Sequence, residues 1–87
     1  MKIIVCGLGQ VGSGIVRYLA SGDADIVGID LNPENVKRVT DSYDVRGIVG
    51  NCAQPNVLEN AGAGEADLLL TVTQHDEVNI LTCEIAN

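Results

Sequence analysis

Three glycines near the N-terminus have the spacing of a phosphate-binding turn. Gly7, Gly9 and Gly12 form a GxGxxG motif directly after a short run of β-branched residues. In such a turn the first glycine leaves the strand, the second lets a pyrophosphate approach the backbone, and the third lets the helix pack on the sheet. Free N–H groups and the dipole at the helix start then stabilise the anion. The motif predicts dinucleotide binding, and the alternative is a glycine-rich loop that holds no ligand.

A carboxylate follows this motif at the end of the next apolar run. Asp30 ends the segment "DIVGID", and a carboxylate at this place accepts hydrogen bonds from both ribose hydroxyls of an adenosine. It would repel a 2′-phosphate, and the next residues are Leu31 and Asn32 rather than an arginine. The sequence therefore predicts a preference for NAD(H) over NADP(H), the alternative being a surface or capping aspartate.

Polar residues after two later strands are further candidates for ligand contacts. Asn51 and Cys52 follow the third predicted strand and should lie near the adenine, although a cysteine at such a place is more often a small buried filler than a ligand contact. Thr71 and Thr73 end the fourth predicted strand. These threonines are candidates for a contact with phosphate or ribose, and the alternative is that they only end a strand and cap a helix.

The single histidine does not complete a catalytic group. His75 is expected in a loop on the crevice side, and no Ser, Cys or Asp partner stands at catalytic spacing. Asp76 and Glu77 suit a helix N-terminus, where the dipole favours acids, and cation binding or a subunit contact is the alternative for them. We therefore predict an exposed histidine and neither a catalytic nor a metal-binding residue.

Composition and charge narrow the possible functions of this chain. It has 87 residues, a hydrophobic fraction of 46% and a formal net charge of −7, which suits one small domain. The acidic balance argues against binding to nucleic acid or to an anionic membrane surface. Cys6, Cys52 and Cys83 lie far apart without a CxxC pair, which gives little support for zinc and fits reduced thiols in a cytosol. No apolar run approaches the length of a membrane span.

Predicted strands and helices alternate along the chain. The strands are predicted at 2–6, 25–30, 45–50 and 67–72. The helices are predicted at 10–21, from 33 to about 42, in a short segment opened by Pro55, and in a last helix with a Thr73/Asp76 capping box and apolar Val78, Leu81, Cys83 and Ile85. This alternation predicts a Rossmann-like, doubly wound α/β fold with a parallel sheet in the order 3-2-1-4.

The sequence also gives expectations for three residues of the first two helices. Gly14 is unfavourable inside the first helix, and we expect it to let that helix lie close against a strand. Lys37 and Arg38 are expected to point outward from the second helix.

The predicted last helix continues to Asn87, and the fourth strand would then lie at an open sheet edge. We expect an incomplete NAD-binding domain over 1–87, truncated before strands 5 and 6. The alternative is that another copy of the chain covers this edge.

Several segments of the chain together resemble a known family. They are "MKIIVCGLGQVG", "IVGIDLNPENV" and "IVGNCAQPNVLENAGAGEADLLLTVTQHDEVNILTC". Over essentially the whole chain they resemble the TrkA-type N-terminal domain, also called the RCK or KTN domain, of Trk potassium uptake regulators. The resemblance implies a Rossmann-like domain that binds NAD(H), or in some members ATP or ADP, and is not an enzyme. It also implies a cytoplasmic homo-oligomer, peripheral at the inner face of the membrane, that controls a potassium transporter subunit.

The same resemblance assigns roles to individual positions. It places the pyrophosphate at Gly7, Gly9, Gln10, Val11 and Gly12, the adenosine ribose at Asp30, the adenine beside Asn51 and Cys52, and the phosphate side at Thr73.

Two other functions remain open on the sequence alone. The cofactor half of an NAD-dependent dehydrogenase would also explain the glycines and Asp30, but it needs a second domain with acid/base residues. It would also favour a small residue where this chain has Val16. The other alternative is a structural fragment that no longer binds ligand.

Overall fold

Helices and strands alternate through the computed structural model, which describes residues 1–72 and 78–82. The elements in chain order are β1 (Lys2–Cys6), α1 (Gln10–Ala20), β2 (Asp25–Asp30), α2 (Pro33–Ser42), β3 (Arg46–Val49), α3 (Pro55–Asn60), a 3₁₀ turn (Ala63–Glu65), β4 (Leu68–Val72) and β5 (Val78–Thr82). Each of the first four strands lies within one residue of its predicted bounds. The predicted sites Thr73, His75, Asp76 and Glu77 lie outside the described residues.

Strand β1 lies at the centre of the sheet, which has the order β3-β2-β1-β4-β5 within the described residues. Ile4 of β1 pairs in parallel with Val27 of β2 and with Leu69 of β4. Strands β1 and β2 are buried along most of their length, as expected when both faces of a parallel sheet are covered. The predicted order 3-2-1-4 of the parallel strands is confirmed.

A separate hydrophobic core covers each face of this sheet. On one face, the odd-numbered residues of β1 pack with α1 and α2 through Ile3, Val5, Val16, Val36 and Val39. On the other face, the even-numbered residues pack with α3 through Ile4, Val27, Ile29, Val57 and Ala61. Alternate residues of an extended strand point to opposite faces, so one strand contributes to both cores.

Helix α2 begins and packs for reasons visible in the sequence. The Asn32 side chain accepts a 2.9 Å hydrogen bond from the N–H of Glu34, and Pro33 occupies the first turn. Gly47 of β3 lies beneath the helix, where an added Cβ would come within 2.6 Å of Val36 and Thr40 side-chain atoms. The absence of a side chain at Gly47 therefore sets the close distance between α2 and β3.

The predicted last helix is wrong over the residues that form β5. This strand runs antiparallel to β4, from the pair Val72 and Val78 to the pair Leu68 and Thr82. The physical reason is that β4 pairs with β1 on one side only, and its other backbone edge needs hydrogen-bond partners. The segment also contains β-branched Val78 and Ile80, which favour strands. Strand β5 therefore covers the edge that we expected to be open, while Cys83 and Ile85 lie outside the described residues.

The expectation that Gly14 permits close packing is also wrong. Gly14 is exposed, and a Cβ added there would have no atom within 4 Å. The close approach in α1 occurs instead at Gly12, where an added Cβ would overlap the carbonyl of Gly7. Gly14 therefore carries a helix-propensity cost that no contact in the described structure requires.

Candidate functional site

An open cavity of about 640 Å³ lies at the C-terminal ends of the parallel strands. Its size falls within the range of small-molecule sites, and it includes the point between β1 and β4 where strand order reverses, the usual ligand crevice of open α/β sheets. The structure brings most of the predicted site residues together around it, namely Gly7, Gly9, Gln10, Val11, Asp30, Asn51 and Cys52. Thr71 lines the cavity as well.

The first and third glycines of the motif shape the turn. Gly7 has a φ of 96°, in the left-handed region that favours glycine, and an added Cβ would lie 2.5 Å from the carbonyl oxygen of Val72. Its N–H donates a 2.8 Å hydrogen bond to the carbonyl of Ile29. Gly12 is buried behind the turn and does not line the cavity. The structure therefore places Gly12 in helix packing rather than at the surface that a ligand would contact.

The middle glycine leaves the cavity wall open where α1 begins. Gly9 is the N-cap of α1, and a Cβ added there would have no atom within 4 Å. The first turn of α1 receives no side-chain cap and contains no acidic residue. Backbone N–H groups at a helix start have no intrahelical partner, and they attract anions together with the helix dipole. The start of α1 is therefore suited to a phosphate group.

Leu8, between the first two glycines, holds the turn in place. Its side chain is fully buried and packs over Gly28 of β2, where an added Cβ would come within 3.0 Å of it. Its N–H donates to Asp30 Oδ2 at 2.6 Å. Its carbonyl accepts from Ser13 Oγ at 2.8 Å and from Arg38 Nη2 at 3.1 Å. Arg38 is exposed, as expected for an outward position, and its long side chain also reaches back from α2 to the turn.

Asp30 connects the turns that follow β1 and β2. Its Oδ2 accepts the Leu8 N–H, and its Oδ1 accepts the Asn32 N–H at 2.8 Å. A carboxylate oxygen has two acceptor positions, so each oxygen retains capacity for a further donor. Asp30 also lines the cavity. It can therefore hold the glycine-rich turn and still accept hydrogen bonds from ligand hydroxyls.

Asn51 and Cys52 form the side of the cavity beyond β3. Asn51 Oδ1 accepts a 2.8 Å hydrogen bond from the N–H of Ala53, so its amide NH2 group is the part that can donate to a ligand. Cys52 forms a disulfide with Cys6, with the two Cα atoms 6.2 Å apart. The structure differs here from the expectation of reduced thiols, because the fold brings the ends of β1 and β3 together across β2.

Sequence reasoning missed part of the cavity wall. Leu31, Asn32 and Asn35, at the start of α2, line the cavity, and Leu31 is 69% exposed. A signal for them was present, because they directly follow Asp30 at the C-terminal end of a parallel strand, where ligands bind in such sheets.

The described residues also bear on metal binding and on membrane spanning. Within residues 1–72 and 78–82, no cluster of three or more His, Cys, Asp or Glu side chains could hold a metal ion. In the same part of the chain, no helix is long and apolar enough to cross a membrane.

Solved structures with a similar fold include a Kef CTD and a dehydrogenase. The structure titled "Shewanella denitrificans Kef CTD in AMP bound form" has a TM-score of 0.67 and 26% identity, and the match covers 79% of this chain and 40% of that one. An apo saccharopine dehydrogenase from Saccharomyces cerevisiae has a TM-score of 0.71 at 13% identity, and the match covers 85% of this chain and 17% of that one. The second likeness shows the fold alone and confirms the Rossmann-like class.

Curated relatives are similar to the chain over its whole length. The Trk system potassium uptake protein TrkA of Azorhizobium caulinodans is 46% identical over 87 residues, which are 100% of this chain and 19% of that protein. The protein of the same name from Vibrio alginolyticus is 41% identical over 99% of this chain and 19% of its own length. A TrkA homolog from Pyrococcus abyssi is 34% identical over 99% of this chain and 38% of its own length.

The chain thus spans 19% of the length of the first two relatives. The family model of the TrkA-N domain matches residues 3–87. Because this match extends over nearly the entire sequence, the chain belongs to the TrkA-N domain family.

Proposed function

We propose that this chain is the nucleotide-sensing module of a potassium uptake regulator and that it binds NAD(H) in the cavity at the strand ends. The observation that carries the proposal is the arrangement of two groups around one cavity. The open helix start at Gly9 suits a pyrophosphate, and the Asp30 carboxylate suits an adenosine ribose.

The charges around the cavity support NAD(H) over NADP(H). Asp30 is the one charged side chain among the described residues that line it, and neither lysine nor arginine is among them. A 2′-phosphate beside this carboxylate would meet repulsion, and the described cavity wall holds no lysine or arginine to offset it. The unmodified ribose of NAD(H) would instead donate two hydrogen bonds.

Adenine mononucleotides are the second ligand class for the same cavity. The AMP-bound Kef domain is 26% identical to this chain, and AMP, ADP and ATP share the adenosine unit that Asp30, Asn51 and Cys52 would contact. The open cavity volume of about 640 Å³ accommodates either class. The adenosine subsite is therefore common to both ligands, and the binding experiment separates them.

The composition of the cavity favours a binding function over catalysis. In the described structure the cavity wall includes neither histidine nor lysine, and it has one carboxylate, which is already bonded to two backbone N–H groups. A dehydrogenase would need an acid/base group near the reacting carbon. We therefore propose that the domain is not an enzyme.

The names of the relatives support a role in potassium transport. They are called Trk system potassium uptake proteins, and the chain corresponds to 19% of the length of the first two. We propose that the whole protein is a cytoplasmic homo-oligomer, held at the inner face of the membrane by a transporter subunit, and that nucleotide occupancy controls uptake.

A calorimetric binding panel on the full-length protein tests this proposal. NADH and NAD⁺ are compared with NADPH, AMP, ADP and ATP at one ionic strength, and NADH or NAD⁺ is expected to bind more tightly than NADPH. Tighter binding of a mononucleotide than of NAD(H) would reassign the ligand, and absence of binding by every nucleotide would overturn the sensing function. Hydride transfer from NADH to a substrate would support the dehydrogenase alternative instead.

A further inference from the structure

We propose that Cys6 and Cys52 form a thiol–disulfide modification site in the wall of the nucleotide cavity and that its redox state changes nucleotide affinity. The second part rests on the proposed nucleotide binding, whereas the first part does not. The site is separate from the Gly9 and Asp30 positions that would contact phosphate and ribose.

The fold brings these two cysteines together from distant parts of the sequence. Cys6 is the last residue of β1, and Cys52 lies in the turn after β3, 46 positions later. Their Cα atoms are 6.2 Å apart, within the range that disulfides require. Cys6 belongs to the buried cluster that includes Ile29, and Cys52 packs against that cluster. The disulfide therefore links the end of β1 to the turn after β3 within the cavity wall.

The surroundings of the two sulfurs determine the order in which they react. Cys6 is 4% exposed and lies in a strand that is paired on both sides. Cys52 is half-buried and lies in a turn that lines the cavity. A low-molecular-weight oxidant reaches Cys52 more readily, because thiol–disulfide exchange requires access to the attacking thiolate.

The oxidation is a two-step exchange with a small disulfide as the oxidant. The Cys52 thiolate attacks one sulfur of this disulfide, which forms a mixed disulfide and releases one small thiolate. The Cys6 thiolate then attacks the Cys52 sulfur, which forms the Cys6–Cys52 bond and releases the second small thiolate. The protein loses two electrons and two protons, and the oxidant becomes two thiols.

The disulfide holds in place the part of the cavity wall where the adenine is proposed to bind. It ties the turn that contains Asn51 and Cys52 to the central strand of the sheet. When the bond is reduced, the two sulfurs must separate to van der Waals contact, and Cys52 is the one that can move because Cys6 lies within the paired strand. The oxidised wall is therefore preorganised, and we expect it to bind nucleotide about tenfold more tightly than the reduced wall.

Peptide mapping of the full-length protein tests the modification site independently of any nucleotide. The reduced protein is treated with hydroxyethyl disulfide, its remaining thiols are alkylated, and it is digested without reductant. A linked pair of peptides that contain Cys6 and Cys52 is expected, and Cys83→Ser should not prevent it. Alkylation of both cysteines after oxidation, or linkage of either one to Cys83, would overturn the site.

Nucleotide titration in both redox states tests the effect on affinity. NADH and AMP are titrated into the oxidised protein and into protein reduced with dithiothreitol, beside Cys52→Ser and the control Cys83→Ser. The wild type and Cys83→Ser should bind about tenfold more tightly when oxidised, whereas Cys52→Ser should show no redox dependence.

Equal affinity of the two wild-type states would contradict the proposed effect. If neither state binds any adenine nucleotide, the proposed function is wrong and the effect on affinity is wrong with it, while the peptide map still decides the modification site. Thermal unfolding of Cys52→Ser checks that this variant is folded. If it is not, the comparison of oxidised with reduced wild type still decides whether the disulfide changes nucleotide affinity.

Discussion

The backbone N–H of Leu8 donates a 2.6 Å hydrogen bond to Asp30 Oδ2, which joins the glycine-rich turn to the end of the neighbouring strand. This bond places the Asp30 carboxylate beside the turn that begins α1. The start of α1 and the Asp30 carboxylate, which are the proposed phosphate and ribose positions, are therefore linked through this contact. The relationship explains how two sequence motifs that are far apart can act as one site.

Gly9→Ala should weaken nucleotide binding while the protein stays folded. An added Cβ has open space in the free protein, and the φ of −69° at Gly9 suits any residue. The same Cβ would occupy the surface that a pyrophosphate approaches. We expect a loss of about tenfold or more in NADH affinity by calorimetry.

Gly14→Ala is the matched control for this variant. It adds the same methyl group to α1, also in open space, but outside the cavity wall. Equal NADH affinity of Gly9→Ala and wild type would show that the ligand does not approach this glycine.

Gly14→Ala should itself stabilise the fold. Glycine in a helix interior costs about 1 kcal/mol relative to alanine, and no contact of Gly14 in the described structure opposes the change. We expect a gain of about 0.5–1 kcal/mol in the free energy of unfolding, measured by urea denaturation. Gly47→Ala provides the contrast, since its Cβ would clash with Val36 and Thr40, and it should destabilise the protein. A stabilising effect of Gly47→Ala would contradict the packing of α2 described above.

Arg38→Met should loosen the glycine-rich turn. It removes the hydrogen bond from Nη2 to the Leu8 carbonyl while it keeps most of the aliphatic stem. The side chain is largely exposed, so we expect a loss of about 0.5–1 kcal/mol in the free energy of unfolding. A weaker NADH affinity should accompany it, because the turn would be less well positioned.

Lys37→Met is the control for the lost charge. Lys37 lies next to Arg38 on α2 but pairs with Asp41, whose hydrogen bond and charge raise the pKa of Lys37 above its ordinary value. Both side chains of this pair are exposed. If Lys37→Met weakened NADH binding as much as Arg38→Met, net charge rather than the contact with Leu8 would be the cause.

Features of the fold that depend on neighbouring residues could be predicted from the sequence. The GxGxxG turn, the Asn32–Pro33 helix start and the first four strands each follow from short patterns of residue type. Asp30 could be placed at the cavity because it ends a strand whose position in the sheet follows from the order of elements. These predictions required no knowledge of distant contacts.

Features that depend on contacts between distant segments could not be predicted in this way. The segment from Val78 to Thr82 has a pattern compatible with a helix, and the exposed edge of β4 is what makes it a strand. The Cys6–Cys52 pair depends on two strand ends that meet across a third. The contact of Arg38 with Leu8 could not be predicted, because a helical pattern does not show how far a long side chain reaches.

The most direct test of NAD(H) binding in the cavity is the NADH affinity of the full-length protein. This affinity is compared between the wild type and Asp30→Ala. Asp30→Ala removes the acceptor for the ribose hydroxyls, and we expect a loss of about 1–3 kcal/mol in binding free energy. Asp30→Ala also removes the hydrogen bond to Leu8, and Ser13→Ala is the control for that loss. Ser13→Ala deletes another hydrogen bond to Leu8, but Ser13 lies outside the cavity wall. We expect a much larger loss for Asp30→Ala than for Ser13→Ala. Equal NADH affinity of the wild type and Asp30→Ala would contradict this expectation.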